Sequence, residues 1–531
     1  MQSAPVTPPP DQRSSVIGSA TQRRVASAAA VIALGNILSR GLGLLRDVVI
    51  ASTFGATVGT DAFVFARTIP QILYDLLVGT VSTAAFVPVF VQHARDERQF
   101  WRLVGAIFSL AGLAFVTLAV GLAIFADPLL NIIGRGFTTD AERDLAIYLM
   151  RIALISVVFQ GLAGVLTSAL YAQNRFVLPA FATAAYNVGI ILGVVLLAQT
   201  LGYTALPVGL ILGALAQFLL QASGLRRFWR VYRPRIDLTD PAVRRILKLA
   251  GTVAAGLVVT AVANLIDRNL ALQLPPGNLT SMDYATRIIQ FPLGIVGLAV
   301  SFAILPTLSR LNPGGGGSLA EYRDALVFGI KLVLLLMLPA LAVVLALSQP
   351  IVAAVYERNA FTPADTARTA AIFLFYSPQL PLTAIDYLLI NAFYARQNAR
   401  TPVLVGVVCV CIYLVVALST VGVLGARGLA LANAVQNSSH ALILLFLLRR
   451  SLPGLHLGAA LSPFLLRVLP ATALTSVILV AAWPALSHLG AVPSLIAATI
   501  LACAAYAALL LLLGVSEARA AVALVRSRLP H

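Results

Sequence analysis

Arginine side chains recur inside long apolar stretches of this 531-residue sequence, and their chemistry is the first feature that needs an explanation. Arg40 and Arg46 lie in the first stretch, and Arg67 and Arg287 lie in two later ones. An ionised group is costly in membrane-like surroundings and is a functional candidate by default. Guanidinium groups stay charged when buried and bind phosphate through paired hydrogen bonds. A cluster of these arginines around one cavity is what a pyrophosphate-bearing substrate requires.

Aspartates accompany the arginines, and each has a structural interpretation beside the functional one. Asp61 stands at the start of an apolar span, where N-capping of a helix competes with substrate binding. Asp47 follows Arg46 directly and, in the structural alternative, pairs with it or with a later arginine. Asp267 is the candidate site for coupling to an ion or a proton, because a carboxylate inside a membrane is costly unless it is paired or ion-bound. Its structural alternative is a salt bridge with Arg268 or another arginine.

Nothing in the sequence indicates an enzyme or a bound cofactor. It contains no Walker A loop, nucleophile elbow or HExxH pattern, so we expect no catalytic residues, no metal site and no ATP hydrolysis. Transport would then draw on the membrane potential or on a monovalent-cation gradient, worth about 2.3 kcal/mol per charge per 100 mV. Residues 401–422 hold no carboxylate that completes a cation cage with Asp267. This favours loose coupling to the potential over tight sodium binding.

The composition is that of a helical membrane protein with many spans. Hydrophobic residues make up 59% of the chain, charged residues 11%, and the mean hydropathy is +0.92. A soluble domain carries about 25% charged residues. Apolar runs of the roughly 20 residues that cross a bilayer recur along almost the whole chain. They predict an all-α polytopic fold with about fourteen transmembrane helices, near residues 26–53, 60–92, 101–127, 144–172, 177–199, 205–225, 243–272, 281–309, 325–348, 365–395, 401–422, 428–448, 461–485 and 491–514.

Basic residues outside these spans predict the orientation. They concentrate in every second connection and most densely in residues 226–248. The positive-inside rule then places both termini of this multi-pass membrane protein in the cytoplasm. The basic surplus is nearly all arginine, with Lys248 and Lys331 the only lysines. It indicates genome composition rather than a nucleic-acid surface.

The chain also contains an internal repeat with an offset of about 222 residues. The pattern from Asp61 through Arg67 to Pro70 returns from Asp283 through Arg287 to Pro292. Six spans per repeat is an even number, so both lobes are expected to insert the same way up, related by an axis along the membrane normal. The predicted organisation is a disordered cytoplasmic tail (1–24), an N-terminal lobe (25–225), a basic cytoplasmic linker (226–248), a C-terminal lobe (249–450) that includes a flexible loop (313–318), and two last helices with a cytoplasmic tail (451–531).

An ordered series of motifs resembles the MurJ (MviN) lipid II flippase family of the multidrug/oligosaccharidyl-lipid/polysaccharide exporter superfamily. The motifs include Ser39-Arg-Gly-Leu-Gly-Leu-Leu-Arg46-Asp47, Thr60-Asp61-Ala62-Phe63, Ala85-Phe-Val-Pro88, Tyr284-Ala-Thr-Arg287, Phe291-Pro-Leu-Gly294 and Asn359-Ala-Phe361-Thr362. The resemblance implies two six-helix lobes and two further helices that form a lipid-facing groove. It also implies substrate-binding roles in a central cavity for Ser39, Arg40, Arg46, Asp61 and Arg287.

The activity implied by the resemblance is transport without covalent chemistry. Lipid II, the undecaprenyl-pyrophosphate-linked peptidoglycan precursor, would be flipped from the cytoplasmic to the periplasmic leaflet by alternating access. The expected partners are lipid II, membrane lipids and cell-wall synthesis proteins, and no nucleic acid. The arginines would hold the pyrophosphate, and the polyprenyl tail would follow the groove of the last two helices.

The sequence departs from the family at the end of the second span. Members usually carry two arginines and then a glutamate there, whereas this chain has Tyr74, Asp75 and Gly79. Arg67, seven residues before Tyr74 and on nearly the same helix face, is the candidate that compensates. The departure leaves open a flippase for another polyprenyl-linked glycan. A cationic-drug antiporter is disfavoured because like charges repel in a low dielectric, and a transport-dead scaffold because it gains nothing from intramembrane arginines.

Overall fold

A computed structural model describes residues 12–79, 81–134, 136–311, 317–452 and 456–519. Within these residues every element of regular structure is a helix, which confirms the predicted all-α class. The α-helices are α1 Gln12–Phe54, α2 Val58–Tyr74, α3 Val87–His93, α4 Glu97–Ile124, α5 Ala126–Ile133, α6 Asp140–Ala172, α7 Val177–Leu201, α8 Ala205–Ser223, α9 Arg226–Val231, α10 Pro241–Leu272, α11 Asn278–Pro292, α12 Leu298–Arg310, α13 Leu319–Tyr356, α14 Pro363–Tyr376, α15 Gln379–Ala395, α16 Arg400–Leu424, α17 Ala426–Ser451, α18 Leu457–Leu486 and α19 Ala491–Leu512.

Nine helical stretches in the described part of the chain are long and apolar enough to cross a bilayer, or ten if the bent helix α10 is counted. The protein is therefore a multi-pass membrane protein. Each of the fourteen predicted spans coincides with a helix or with a run of consecutive helices. The number of fourteen crossings and the parallel orientation of the two lobes stay predictions.

Proline and π-helical turns interrupt the two repeated spans at related positions. Pro70 lies inside α2, which runs on into a π-helical segment at Asp75–Gly79. Pro292 ends α11, which runs on into a second π-helical segment at Leu293–Gly297. Proline has no N–H to donate, so it breaks the ordinary helical hydrogen-bond ladder. Short π-helical segments inside helices are frequent at functional sites.

Two groups of helices form the body of the protein. In the first half, α7 packs along α8 and α1, and α6 packs against α2, α4 and α8. Glycines allow α7 and α8 to approach closely: an added Cβ on Gly193 would lie 2.5 Å from the Cα of Gly209. In the second half, α17 packs on α16, α15 and α14, and α13 packs on α14 and α15. Helix α10 contacts α16 and α11 of the second half and also α2 and α4 of the first.

The predicted tail and linker contain helices in the structure. Helix α1 begins at Gln12, so residues 12–24 are helical where a disordered tail is predicted. Glutamine and arginine, which supply five of residues 12–24, have high helix propensity and extend the first helix backwards. The predicted linker contains α9 and the first turns of α10. Residues 1–11, and residues 313–316 of the predicted flexible loop, lie outside the described residues.

Helices α18 and α19 pack mainly against α13, and one lysine ties all three together. Lys331 of α13 contacts Glu517, in the segment after α19, with an Nζ–Oε1 distance of 2.6 Å. Its ammonium group also lies 5.4 Å from the ring centre of Phe464 in α18. Lys331 is thus paired rather than extended towards water. Burial opposes ionisation of Glu517, but the hydrogen bond from Lys331, with help from its own backbone N–H and Ser516, holds the pKa of Glu517 below its ordinary value.

We expect Glu517→Gln to lower the free energy of unfolding by about 1 kcal/mol near neutral pH, as for other partly exposed ion pairs. A lowered carboxyl pKa stabilises the folded protein above the ordinary pKa, near 4.5, and the effect disappears as the pH falls through the folded-state value. The difference between wild type and variant should therefore shrink as the pH is lowered. Thermal unfolding of the detergent-solubilised protein measures it. Asp324→Asn is the control, since Asp324 is exposed and pairs only with the adjacent Arg323 among the described ion pairs.

Candidate functional site

Three arginines from three helices surround one buried aspartate between the halves. Asp283 of α11 accepts a hydrogen bond of 2.5 Å from Arg67 of α2. The guanidinium of Arg268 in α10 lies 3.5 Å from Asp283, and that of Arg287, one turn later in α11, lies 3.7 Å away. The Asp283 side chain is only 6% exposed. Asp283 therefore holds these arginines together at the meeting point of α2, α10 and α11.

A second aspartate joins α1 to the same cluster. Asp47 contacts Arg46 at 2.7 Å and Arg287 at 3.8 Å. Arg46 also donates to Oδ1 of Asn187 in α7 at 3.0 Å, and the Asn187 amide donates to the Ser39 carbonyl at 3.1 Å. These contacts fix the Arg46 side chain towards the interface. We use the name arginine cluster for Arg46, Arg67, Arg268 and Arg287 together with Asp47 and Asp283.

The arginine cluster carries an excess of positive charge that a ligand can reach. Four guanidinium groups and two carboxylates leave two positive charges over. The aspartate side chains are only 4–6% exposed, whereas the arginine side chains are 11–34% exposed. The carboxylates are enclosed by protein, and the guanidinium groups are the more accessible part of the cluster. The arrangement is suited to an anion with oxygen atoms spread over more than one centre.

Two adjoining cavities lie against the cluster. The first, of about 300 Å³, is lined by all four arginines and by polar residues that include Gln160 and Tyr186. The second, of about 210 Å³, is lined by Ser39 and Arg40 among others. Arg46, Tyr186 and Arg287 line both. Five predicted site residues are therefore brought together along one basic crevice: Ser39, Arg40, Arg46, Arg67 and Arg287.

Arg40 reaches across from α1 to the second half. Its Nη1 donates to the Gln290 carbonyl at 3.2 Å, and its guanidinium lies over Gly294 in the π-helical segment after α11. A Cβ added to Gly294 would lie 1.9 Å from the guanidinium carbon. Glycine at position 294 has no Cβ and therefore leaves room for the Arg40 guanidinium.

We expect Gly294→Ala to displace the Arg40 side chain while the fold survives, because the colliding atoms are the end of a flexible side chain. Substrate affinity should fall by about tenfold, the effect of losing one hydrogen bond to a charged group. Equilibrium binding of substrate to the purified protein measures it, and Arg40→Ala should give a similar loss. Gly41→Ala is the control, since its added Cβ meets open space on the same helix as Arg40. Equal binding by both glycine variants would contradict this role.

Asp61 lies apart from the crevice and makes a different contact. It is 6% exposed and accepts hydrogen bonds from the Gly277 amide at 2.5 Å, the Thr280 amide at 2.7 Å and the Thr280 hydroxyl at 2.6 Å. It therefore caps the N-terminus of α11, in the other half of the protein. The sequence offers capping of its own helix as the structural alternative for Asp61, but the N-cap residue of α2 is Thr57.

Asp267 also lies outside the arginine cluster. It accepts a hydrogen bond from the Tyr413 hydroxyl and lines a separate cavity of about 590 Å³ in the second half. The neighbouring Arg268 points the other way, to Asp283. Helix α10 thus presents one charged residue to each cavity, because consecutive helical residues face different directions. Among the described contacts, Arg268 pairs with Asp283 and Asp267 with Tyr413, and no Asp267–Arg268 salt bridge is formed.

Sequence reasoning missed two partners in the crevice. Sequence reasoning treats Arg268 as a salt-bridge partner of Asp267 and not as a site residue, although its position beside Asp267 in an apolar span is a signal of the same kind as at Arg46 and Asp47. Asn187 belongs to the series of motifs that resembles the family, together with Asn174-Arg-Phe176 and Pro179-Ala180, and has no other signal in the sequence. At the departure from the family pattern, Asp75 lines the cavity and accepts a hydrogen bond from Gln71 at 3.0 Å. Compensation by Arg67 stays a prediction.

Comparisons with known proteins agree with this architecture. The family model described as lipid II flippase MurJ matches residues 50–500. Curated relatives include a probable lipid II flippase MurJ of Rhizobium meliloti, 30% identical over 76% of this chain and 77% of the relative. Another, from Haemophilus influenzae, is 29% identical over 70% of this chain and 76% of the relative.

Solved structures with the same fold come from two groups of transporters. A lipid II flippase MurJ in an inward closed conformation superposes with a TM-score of 0.75 at 22% identity, covering 90% of this chain and 98% of that one. An inward-facing multidrug resistance transporter of the MATE family gives a TM-score of 0.64 at 15% identity, over 78% and 95%. Both likenesses concern the fold.

Proposed function

The chain belongs to the MurJ family of lipid II flippases, and from that premise we propose that it flips lipid II by holding the pyrophosphate in the arginine cluster. This proposal rests on the charge of the arginine cluster, in which four arginines surround two enclosed aspartates. A pyrophosphate that bridges two organic groups has one acidic oxygen on each phosphorus. The two charges left over in the cluster match those two oxygens, and guanidinium forks suit their geometry.

The crevice lies between the halves, where alternating access requires a binding site. At one end of the interface, Asp61, Arg368 and Ala360 form hydrogen bonds from one half to the other. A set of contacts that joins the halves at one end supports a closed gate at that end. Exchange with a state in which these contacts are broken would expose the crevice to the opposite side of the membrane.

The polyprenyl tail needs an apolar surface outside the crevice. Helices α18 and α19, next to α13, carry large exposed apolar residues, among them Leu466, Val477 and Val480. In a bilayer, a lipid chain can lie against exposed apolar side chains without a free-energy penalty. The tail would follow this surface while the headgroup occupies the crevice.

Sidedness and energy source follow from the same proposal. In this proposal the protein lies in the bacterial inner membrane with both termini in the cytoplasm, which the basic connections support. Cell-wall synthesis proteins would be further partners on the route of lipid II. A substrate with two negative charges responds to the membrane potential, which is worth about 2.3 kcal/mol per charge per 100 mV. Asp267, in the cavity of the second half, is the residue that we propose for coupling to an ion or a proton.

Growth of a bacterium depleted of its own lipid II flippase tests the function. Expression of this chain should restore growth and cell shape, and purified protein in vesicles should move lipid II between leaflets. Failure of both, with the protein present in the membrane, would contradict the proposal.

Asp75 lines the cavity and favours a second candidate substrate, a different polyprenyl-linked glycan. The Asp75 carboxylate would repel a negatively charged group of the substrate headgroup that lies beside it. Flipping of such a glycan but not of lipid II would decide for it.

A further inference from the structure

A histidine and an aspartate form a polar pair inside the second half, away from the arginine cluster. Nδ1 of His440 in α17 lies 2.7 Å from Oδ1 of Asp386 in α15. Nε2 of the same ring lies 3.1 Å from the Pro402 carbonyl oxygen in α16. The side chains are 15% and 12% exposed. The flipping mechanism proposed above uses neither residue.

The contacts of His440 imply that the pair holds a proton. Pro402 offers only a carbonyl oxygen, which accepts, so Nε2 carries a hydrogen. A contact of 2.7 Å between Nδ1 and a carboxyl oxygen also needs a hydrogen between the two atoms. That hydrogen belongs either to an imidazolium beside a carboxylate or to a carboxylic acid beside a neutral ring. In both cases the pair is neutral overall, and its loss of one proton leaves a single negative charge.

The titratable groups around the pair favour a cation over an anion. Besides the pair, the titratable groups that line the 590 Å³ cavity are Asp267 of α10, Tyr394 of α15, and Cys409 and Tyr413 of α16, and His440 is its only basic residue in the described part of the chain. Helix α14 packs against α17, and its buried Tyr376 lies near Asp267, while Asp365 and Arg368 of α14 bind each other. From α11, Asp283 and Arg287 face the arginine cluster.

We propose that the His440–Asp386 pair is a proton-binding site that couples a proton gradient to the exchange between the two open states. A proton from water binds to the pair and changes its charge from −1 to zero. Sodium is disfavoured because the His440 imidazole contacts Oδ1 of Asp386 and the Tyr413 hydroxyl donates to Oδ1 of Asp267, so neither carboxylate offers both of its oxygens to a metal cation. This inference rests on the proposed flipping function. It chooses the proton as the coupling ion and assigns its binding to the His440–Asp386 pair, in the cavity that Asp267 also lines.

Helix α10 offers the connection between this site and the substrate crevice. Asn264 of α10 lines both cavities. The next turn carries Asp267 towards the pair's cavity and Arg268 towards Asp283. The helix is bent by 41° between Pro241–Ala255 and Leu257–Leu272. A shift of α10 that follows protonation would therefore move an arginine that touches the substrate.

The first test reads the proton site without transport. Histidine side chains of the full chain in detergent are observed by ¹³C NMR across a pH titration, with His440 assigned by His440→Gln. We expect Asp386→Asn to move the titration midpoint of His440 by about one pH unit or more, since it removes the charged partner. His488→Gln, at an exposed histidine, is the control and should leave it in place. A midpoint that Asp386→Asn does not move would overturn the proposed site.

The second test reads coupling in vesicles with the membrane potential clamped at zero. A gradient of one pH unit should drive lipid II towards one leaflet by up to about tenfold for one coupled proton. His440→Gln should lose this accumulation, and His488→Gln should keep it. Accumulation by His440→Gln equal to wild type, or driven by a sodium gradient alone, would overturn proton coupling. If wild type moves no lipid II under any condition, the proposed function fails, and the NMR titration still decides on the proton site.

Discussion

We expect the double variant Arg46→Ala, Arg287→Ala to lose flipping while protein levels stay near normal. Arg67 and Arg268 remain paired with Asp283, and the charges of these three residues and Asp47 sum to zero. Asp47 loses both of its contacts, to Arg46 and Arg287, so the two single variants, each of which leaves Asp47 one arginine, are made beside the double variant. The two charges that match the pyrophosphate are gone. A hydrogen bond to a charged group is worth about 1.5–3 kcal/mol, so the loss of two should slow flipping by at least about 100-fold.

Flipping in proteoliposomes, together with protein levels in the membrane, measures this effect. Arg151→Ala is the matched control, because Arg151 is also an arginine within an apolar helix but pairs with the half-exposed Asp127 at 2.6 Å, away from the crevice. Lysine at positions 46 and 287 should restore part of the activity through its charge and less through geometry. Full activity of the double alanine variant would rule out the pyrophosphate clamp.

The class of the protein and most of the crevice were predictable because both depend on the cost of burying charge. Apolar runs predict helices in a membrane, and an arginine inside such a run must face something polar. That argument places Arg46, Arg67 and Arg287 at one site without knowledge of the distances between them. The structure adds Asp283 as the residue that gathers Arg67, Arg268 and Arg287.

Partners that are distant in the chain were not predictable. Asp61 and Thr280 are 219 positions apart, and no local pattern distinguishes a cap of another helix from a cap of its own. His440 and Asp386 are 54 positions apart, on α17 and α15. In both cases the residue type limits the chemistry, but only the packing of the helices decides which group is the partner.

The last prediction concerns the gate that Asp61 helps to close. Its three hydrogen bonds to Gly277 and Thr280 join the halves, beside the contact of Arg368 with the Ala56 carbonyl at 3.2 Å. We expect Asp61→Ala to weaken this closed end by about 2 kcal/mol, the value of a helix cap with a charged acceptor. The open population at this end should then rise by roughly 30-fold, and flipping should fall because one end no longer closes.

A cysteine at position 56 reports the change, since Ala56 is 5% exposed in the closed gate. Cys411 and Cys503, the exposed native cysteines, are replaced first. Labelling by a membrane-impermeant thiol reagent should be slow with Asp61 present and faster by about the same factor of 30 in Asp61→Ala. The matched control is Asp240→Ala, because Asp240 caps its own helix, α10, by accepting from the Ala242 amide at 2.8 Å. It removes a cap of the same kind without breaking a contact between the halves. Equal labelling rates in wild type and Asp61→Ala would show that this end is held closed by the remaining contacts, and that Asp61 stabilises α11 alone.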